Sequence, residues 1–224
     1  MAAGPGGGHD PHDLRDLRGD YGHGELLERD VAPTWHEQFE RWVADALVLP
    51  GVEPNAMVFA TADAAARPSV RTVLLKEWDE RGFVLYTNLG SRKAREATEN
   101  PRASLLFPWL RIERQVIVEG AVERVDDAQA DAYFATRPRG SQLGAHASPQ
   151  SRRIAGRAEL EERRRELEAR YPAGTRIPRP PEWGGLRVVP DAVEFWQGRP
   201  DRLHDRLRFE REPGGGWSLH RLAP

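Results

Sequence analysis

Arg202, His204 and Arg206 fall on every second position of the stretch Phe195–Arg206, FWQGRPDRLHDR. In an extended segment side chains two apart share a face, so these three donors would line one wall while Leu203 and Asp205 point away. Such a wall suits an anion. Arg presents a fixed fork to phosphate, carboxylate or an electron-rich ring, and His exchanges a proton near neutral pH. The competing reading is a charged strand face wetted by solvent, and spacing alone leaves both open.

Three further constellations carry donors. In RTVLLKEW, Arg71 and Lys76 bracket an apolar centre. Five apart, they have opposite parity on a regular strand and serve one site only if a bulge intervenes or a ligand spans both ends. The turn Thr87–Ala94, TNLGSRKA, feeds a helix whose first N–H groups lack partners, and Arg92 and Lys93 add two cations, a reasonable phosphate seat. It lacks the spaced glycines of a Walker A loop, and short Ser–Arg–Lys runs also occur on plain surfaces. The stretch Arg137–Ser151, RPRGSQLGAHASPQS, reads as a loop rich in donors, among them Arg137, Arg139, Ser141, Gln142, Gln150 and Ser151. Tyr133, four residues before Arg137, would share its helical face. Several anion seats beside aromatic residues point to a phosphorylated cofactor together with a phosphorylated substrate. No Rossmann glycine fingerprint, HExxH or GxSxG occurs.

The elements that must position these residues are mostly strands. Thr34 and Glu37 form a capping box, and Trp35, Phe39, Trp42, Val43, Ala46 and Leu47 then repeat at helical spacing, predicting an amphipathic helix that ends before Pro50. Runs at Ala56–Ala62, Ser69–Trp78, Gly82–Asn88, Ala103–Leu110 and Ile112–Val125 predict a meandering antiparallel sheet or barrel. Ser91 caps a short helix to about Thr98, and Asp126 and Asp127 open another through Tyr133 and Phe134. Arg157–Arg170 predicts a charged helix whose Glu and Arg residues pair with each other. After a Pro-rich connection at Pro172–Gly185 come strands at Leu186–Trp196, Leu203–Arg211 and Trp217–Leu222.

Residues 1–24 hold little to bury and read as a mobile arm, with Arg18 and Tyr21 its only residues equipped to grip a ligand. His9, His12 and His23 are too irregularly spaced to argue for metal. With 33 Lys+Arg against 35 Asp+Glu among 224 residues, no global field favours nucleic acid or an anionic membrane, so an anion site must be local. The absence of Cys removes disulfides and thiolate chemistry and fits a reducing cytoplasm. No apolar run approaches the roughly 20 residues of a membrane span, and the N-terminal stretch lacks a signal-peptide core.

Taken together, RTVLLK at Arg71–Lys76, YTNLGSRKA at Tyr86–Ala94, RQV at Arg114–Val116, RPRGSQ at Arg137–Gln142, QS at Gln150–Ser151, EFWQG at Glu194–Gly198, RLHDR at Arg202–Arg206 and the terminal RLAP resemble the pyridoxamine 5′-phosphate oxidase family. The likeness runs in order from about Arg18 to Pro224. It implies a mainly β fold with peripheral helices, an FMN-binding split β-barrel over residues 25–224 that works as a homodimer with the flavin between subunits. It further implies oxidation of pyridoxamine or pyridoxine 5′-phosphate to pyridoxal 5′-phosphate, by hydride transfer from substrate C4′ to flavin N5 and with O₂ as final acceptor. Carried over by position, Arg71, Thr72, Val73, Leu74, Leu75, Lys76, Tyr86, Thr87, Arg92, Lys93 and Gln115 would surround FMN. Gln150, Ser151, Trp196 and Arg206 would complete the flavin site from the other subunit. Lys76, Tyr133, Arg137 and Ser141 would hold the substrate phosphate, and Arg202 and His204, the catalytic pair, would lie against the pyridine ring. Arg18 and Tyr21 match the segment that closes as a lid. Pro149 and the Arg199–Pro200 pair depart from the pattern in variable spacers. A split-barrel enzyme using another flavin, a deazaflavin or another substrate, and a non-catalytic flavin or pyridoxal-phosphate binding module, are the alternatives.

Overall fold

The computed structural model describes Tyr21, Gly22 and residues 24–224. Most of the expected arm, with Arg18, His9, His12 and His23, lies outside the described residues.

One antiparallel sheet is built from β1 (Ala56–Ala62), β2 (Pro68–Leu74), β3 (Glu77–Asp79), β4 (Gly82–Asn88), β5 (Arg102–Trp109), β6 (Arg114–Arg124), β7 (Trp183–Gln197), β8 (Asp205–Arg211) and β9 (Trp217–Arg221), with burial alternating along β1, β2 and β5 and near-continuous along the central β7. The strands run β2–β1–β5–β6–β7–β4–β3, with β8 on β7 and β9 on β8. The first half of β7 pairs with β4 and its last residues with β8, while β6 follows both halves. Between these halves Glu119 faces Ala192 and Gly120 faces Pro190, so Asp191 is the extra residue of a bulge that bends the sheet. Only glycine fits opposite it, because a Cβ on Gly120 would stand 2.0 Å from the Val189 carbonyl oxygen. Curling brings the two ends of the strand order together. Leu75 N donates to Asn55 O beside β1, and Lys76 N donates to Val84 O in β4. The predicted single strand Ser69–Trp78 is therefore two, broken where the chain crosses from one edge to the other.

The curled sheet closes around α1 (Trp35–Leu47), capped by Thr34 Oγ1, which accepts from Glu37 N at 3.4 Å. Phe39 stands 5.0 Å from both Phe83 and Phe107, and Trp42 stands 5.2 Å from Phe195, ring centre to ring centre. Leu47, expected in this apolar stripe, is 65% exposed at the helix end. Outside the sheet lie α2 (Arg92–Glu99), α3 (Asp127–Thr136), α4 (Arg139–Ala147) and α5 (Arg157–Arg170). On α5, Arg157–Glu161, Arg163–Glu159 and Arg164–Glu168 pair along the surface, as the spacing predicts. Helix α4 corrects the loop expected at Arg137–Ser151. Leu143 and Ala147, four apart, bury one face, and Leu143 packs with Phe134, Ile177 and Trp183. Gly140 and Gly144 meet nothing within 4 Å, so these glycines mark an open helix face rather than turns. Ile177 likewise gives the Pro-rich connection a buried anchor, and β7 starts earlier than expected, at Trp183. Among the described residues no helix is long and apolar enough to cross a membrane.

Candidate active site

A cavity of about 770 Å³ opens between the β2 edge, β4 and the three helices α2, α3 and α4. Strand β2 lines it with Arg71, Thr72, Val73 and Leu74, and the crossing after β2 adds Lys76. Strand β4 supplies Tyr86 and Thr87, and α2 supplies Arg92 and Lys93. Tyr133, Arg137 and Ser141 come from α3, its C-terminus and α4, and Gln150 and Ser151 from the segment before α5. The break after Leu74 resolves the parity conflict, since Lys76 no longer follows the alternation of Arg71. Leu75 does not line the cavity; it is buried in the core under the crossing.

At the α2 end, Lys93 is buried among neutral acceptors. Its Nζ donates to Thr87 Oγ1 at 3.1 Å, Ser91 Oγ at 3.4 Å and Gln150 Oε1 at 3.1 Å. Burial, then the charge of Arg71, push its pKa down to about 8. Arg71 donates to Phe59 O at 3.0 Å and Thr61 Oγ1 at 2.6 Å, and also to Ser69 Oγ and Glu96. Gln150 and Ser151, expected to reach the flavin from a partner, line this cavity within one chain.

The opposite end is aromatic. Tyr86 stacks on Tyr133 at 4.1 Å and on Trp183 at 5.4 Å, and the Arg137 guanidinium lies 4.7 Å from the Trp183 ring centre. Tyr86 Oη donates to Glu77 Oε1 at 2.7 Å, and Gln129 holds the other carboxylate oxygen at 2.6 Å. Burial and this carboxylate raise the Tyr86 pKa, so the phenol stays protonated. Burial lowers that of Arg137, whose Nη1 is enclosed without a hydrogen-bond partner.

The remaining expected site residues form a second group away from this cavity. Gln115, Trp196 and Arg206 are neighbours across β6, β7 and β8. The Trp196 ring lies 4.6 Å from His204, and Tyr21 packs edge-on to both rings at 5.8 and 5.4 Å. Arg199 N donates to His204 Nδ1 at 3.1 Å, so a neutral His204 carries its proton on Nε2. Arg202 is exposed at the end of a 3₁₀ turn, Pro200–Arg202, with φ 62°. The expected extended wall of Arg202, His204 and Arg206 is thereby corrected: only Arg206 lies in a strand, and its guanidinium is committed to Glu194 at 2.7 and 3.1 Å. Sequence reasoning missed Glu77, Glu96 and Trp183. Glu96 follows Arg92 by four residues, a readable helical ion pair; nothing in the spacing marks the other two.

Residues 44–196 match the family model described as pyridoxamine 5′-phosphate oxidase, and residues 183–224 match that of the pyridoxine 5′-phosphate oxidase C-terminal dimerisation region. A pyridoxine/pyridoxamine 5′-phosphate oxidase from Frankia casuarinae is 58% identical, covering 97% of this chain and 85% of its own. One from Cupriavidus necator is 55% identical over 94% of this chain and 99% of its own. Among solved structures, PhzG from Burkholderia lata, in complex with tetrahydrophenazine-1-carboxylic acid, aligns with TM-score 0.84 and 33% identity over 91% of this chain and all of that one. A pyridoxamine 5′-phosphate oxidase-related, FMN binding protein from Nostoc punctiforme shares the fold at TM-score 0.68 and 19% identity, covering 87% of this chain and 99% of that one. The extent of these matches, over a curled sheet carrying a cationic cavity, makes the chain a member of the pyridoxamine 5′-phosphate oxidase family, flavoprotein oxidoreductases of split-barrel fold.

Proposed function

We propose that the chain is a homodimeric FMN-dependent oxidase that converts pyridoxamine 5′-phosphate and pyridoxine 5′-phosphate to pyridoxal 5′-phosphate, with O₂ as final acceptor and hydrogen peroxide as product, the amine substrate also consuming water and releasing ammonia. The observation that carries this reading is Arg137 Nη1, a buried donor without a partner beside Tyr133, Ser141 and an aromatic stack. A guanidinium N–H that is enclosed and left unpaired is costly, and a substrate phosphate would satisfy it with a charge-assisted bond. Lys76, from the crossing, and Ser141 would share that phosphate.

The donor set at the other end fits FMN. Arg71, Arg92 and Lys93 against the single carboxylate of Glu96 leave two positive charges, matching a phosphomonoester dianion. β2 is the last strand at its end of the order, so the peptide groups of Arg71–Leu74 have a free edge with which to bind a flat polar ring. When bound, FMN supplies the two-electron acceptor for oxidation at substrate C4′, and O₂ restores it.

The chain's own task is positioning. Trp196, Arg202, His204 and Arg206 all lie within the region matching the dimerisation model, which supports their delivery to the cavity of the partner subunit. Arg202 would clamp the pyridine ring there, and His204, with Nδ1 occupied by Arg199 N–H, would offer its Nε2–H to a ring substituent. The visible spectrum tests this reading. The purified protein is expected to be yellow, to bleach anaerobically on addition of pyridoxamine 5′-phosphate, and to release peroxide when air is admitted. A flavin spectrum unmoved by either phosphorylated vitamer would shift the reading to a split-barrel flavoenzyme with another substrate. Failure to retain any flavin would overturn both.

A further inference from the structure

We infer that Glu96, which does not line the cavity, is a positioning residue for the flavin phosphate, fixing the guanidinium groups of Arg71 and Arg92 from behind the seat. The inference rests on the flavin placement proposed above. Glu96 is 4% exposed, on the buried face of α2. Its Oε1 accepts from Arg92 Nε at 2.6 Å, and its Oε2 accepts from Thr61 Oγ1 at 2.5 Å, Ser69 Oγ at 2.5 Å and Arg71 Nη2 at 3.3 Å.

The two arginines depend on it unequally. Arg71 keeps three other acceptors, Phe59 O, Thr61 Oγ1 and Ser69 Oγ. The Arg92 side chain is 57% exposed, and Glu96 is the carboxylate that orients it. An exposed Arg without such a tether spreads over many rotamers, so ordering it on a phosphate costs entropy that the Glu96 tether removes in advance. Burial raises the pKa of Glu96, but the hydrogen bonds from Ser69, Thr61, Arg92 and Arg71 outweigh it and hold the carboxyl near 2, so the tether stays charged across the working range.

Removing the carboxylate has two opposed consequences, and their signs separate the readings. If Glu96 acted only as a nearby negative charge, Glu96→Gln would make the seat more cationic and tighten FMN. If it positions the arginines, the same change weakens FMN by about tenfold, the worth of one charge-assisted hydrogen bond to the phosphate, and leaves riboflavin, which has no phosphate, unaffected within about twofold. The experiment titrates the full-length, flavin-stripped protein with FMN and with riboflavin, following quenching of flavin fluorescence. Wild type binding FMN no better than riboflavin would refute the flavin placement itself. Wild-type preference for FMN that survives in Glu96→Gln, or grows, would refute the role of Glu96 alone. Equal loss of both flavins would mark a merely structural residue and also overturn it. Should Glu96→Gln fail to fold, Ser69→Ala removes one donor from Glu96 and one acceptor from Arg71, and is expected to cut the FMN-over-riboflavin preference about threefold; an unchanged preference rejects the proposal.

Discussion

Arg137 and Lys93 are the two cations whose surroundings leave most to a ligand, one because its Nη1 is enclosed without a partner, the other because its Nζ meets only neutral acceptors. Arg137→Met keeps an apolar stem against Trp183 and removes the fork. It is expected to raise KM for pyridoxamine 5′-phosphate about 100-fold, the loss of a buried charge-assisted pair, while the purified protein keeps its flavin; steady-state peroxide assays with a parallel flavin count check this. For Lys93 the sign follows from its lowered pKa. Below about 8 the amine is charged and attracts phosphate, so FMN affinity is expected to fall as pH rises through about 8, and Lys93→Met is expected to flatten that profile. The contribution of Lys93 to folding runs the other way. The unfolded chain holds its proton up to about 10.5, so the flavin-free protein gains stability from this group between about 8 and 10.5. The cations proposed for both seats stood out in the sequence as Arg and Lys beside Gly, Ser and aromatic residues, but their spacing fitted a solvated surface equally well, and it was the ordered set of family motifs that singled them out. Of the carboxylates behind them, Glu96 showed only its pairing with Arg92 four residues before it; its contact with Arg71, 25 residues away, and that of Glu77 with Tyr86, nine away, leave no spacing signal because they meet through a curled sheet.

Among the elements, β1 and β4 follow the limits set by their β-rich runs and flanking turns, β4 although it is buried along most of its length, and α1, buried on one face, follows its cap. Reading failed where a tertiary contact decides the local conformation. The break at Leu75–Lys76 exists because the chain joins two sheet edges, and the turn at Pro200–Arg202 interrupts a run whose alternation of charge resembled a strand. In α4 the Pro, Gly and Ser content pointed to a loop, yet Leu143, 2% exposed, anchors a helix. Leu143→Ala should therefore cost about 2–4 kcal/mol, the range for a large apolar side chain deleted from a closed cluster. Urea unfolding measures that loss. Because Ser141 rides on α4 while Lys93 rides on α2, the same variant is expected to raise KM for the phosphorylated substrate more than it weakens FMN. Equal effects on both ligands would mean that α4 supports the whole cavity rather than its substrate end.

At the scale of the molecule, the proposed site residues of one chain divide into a cavity that contains Arg137 and a separate cluster that contains Trp196, His204 and the neighbouring Arg202. The sequence could not display this division, since a set of motifs says nothing of which copy of the chain each one serves. If the cluster of one subunit completes the cavity of the other, every active site of a two-fold dimer draws Arg137 from one chain and Arg202 from its partner. Two variants, Arg137→Met and Arg202→Ala, are each expected to be nearly inactive as pure dimers when substrate is held near the wild-type KM. Unfolded together and refolded as a mixture, half of the dimers should be hybrids. In a hybrid one site carries both substitutions and the other carries neither, so the mixture should recover about a quarter of wild-type turnover. Separately refolded proteins mixed afterwards control for simple additivity. Were Arg137 and Arg202 to serve a site within one chain, no hybrid would contain an intact site and the mixture would stay as inactive as its parents, which would exclude the shared site while leaving the fold and the flavin seat as described.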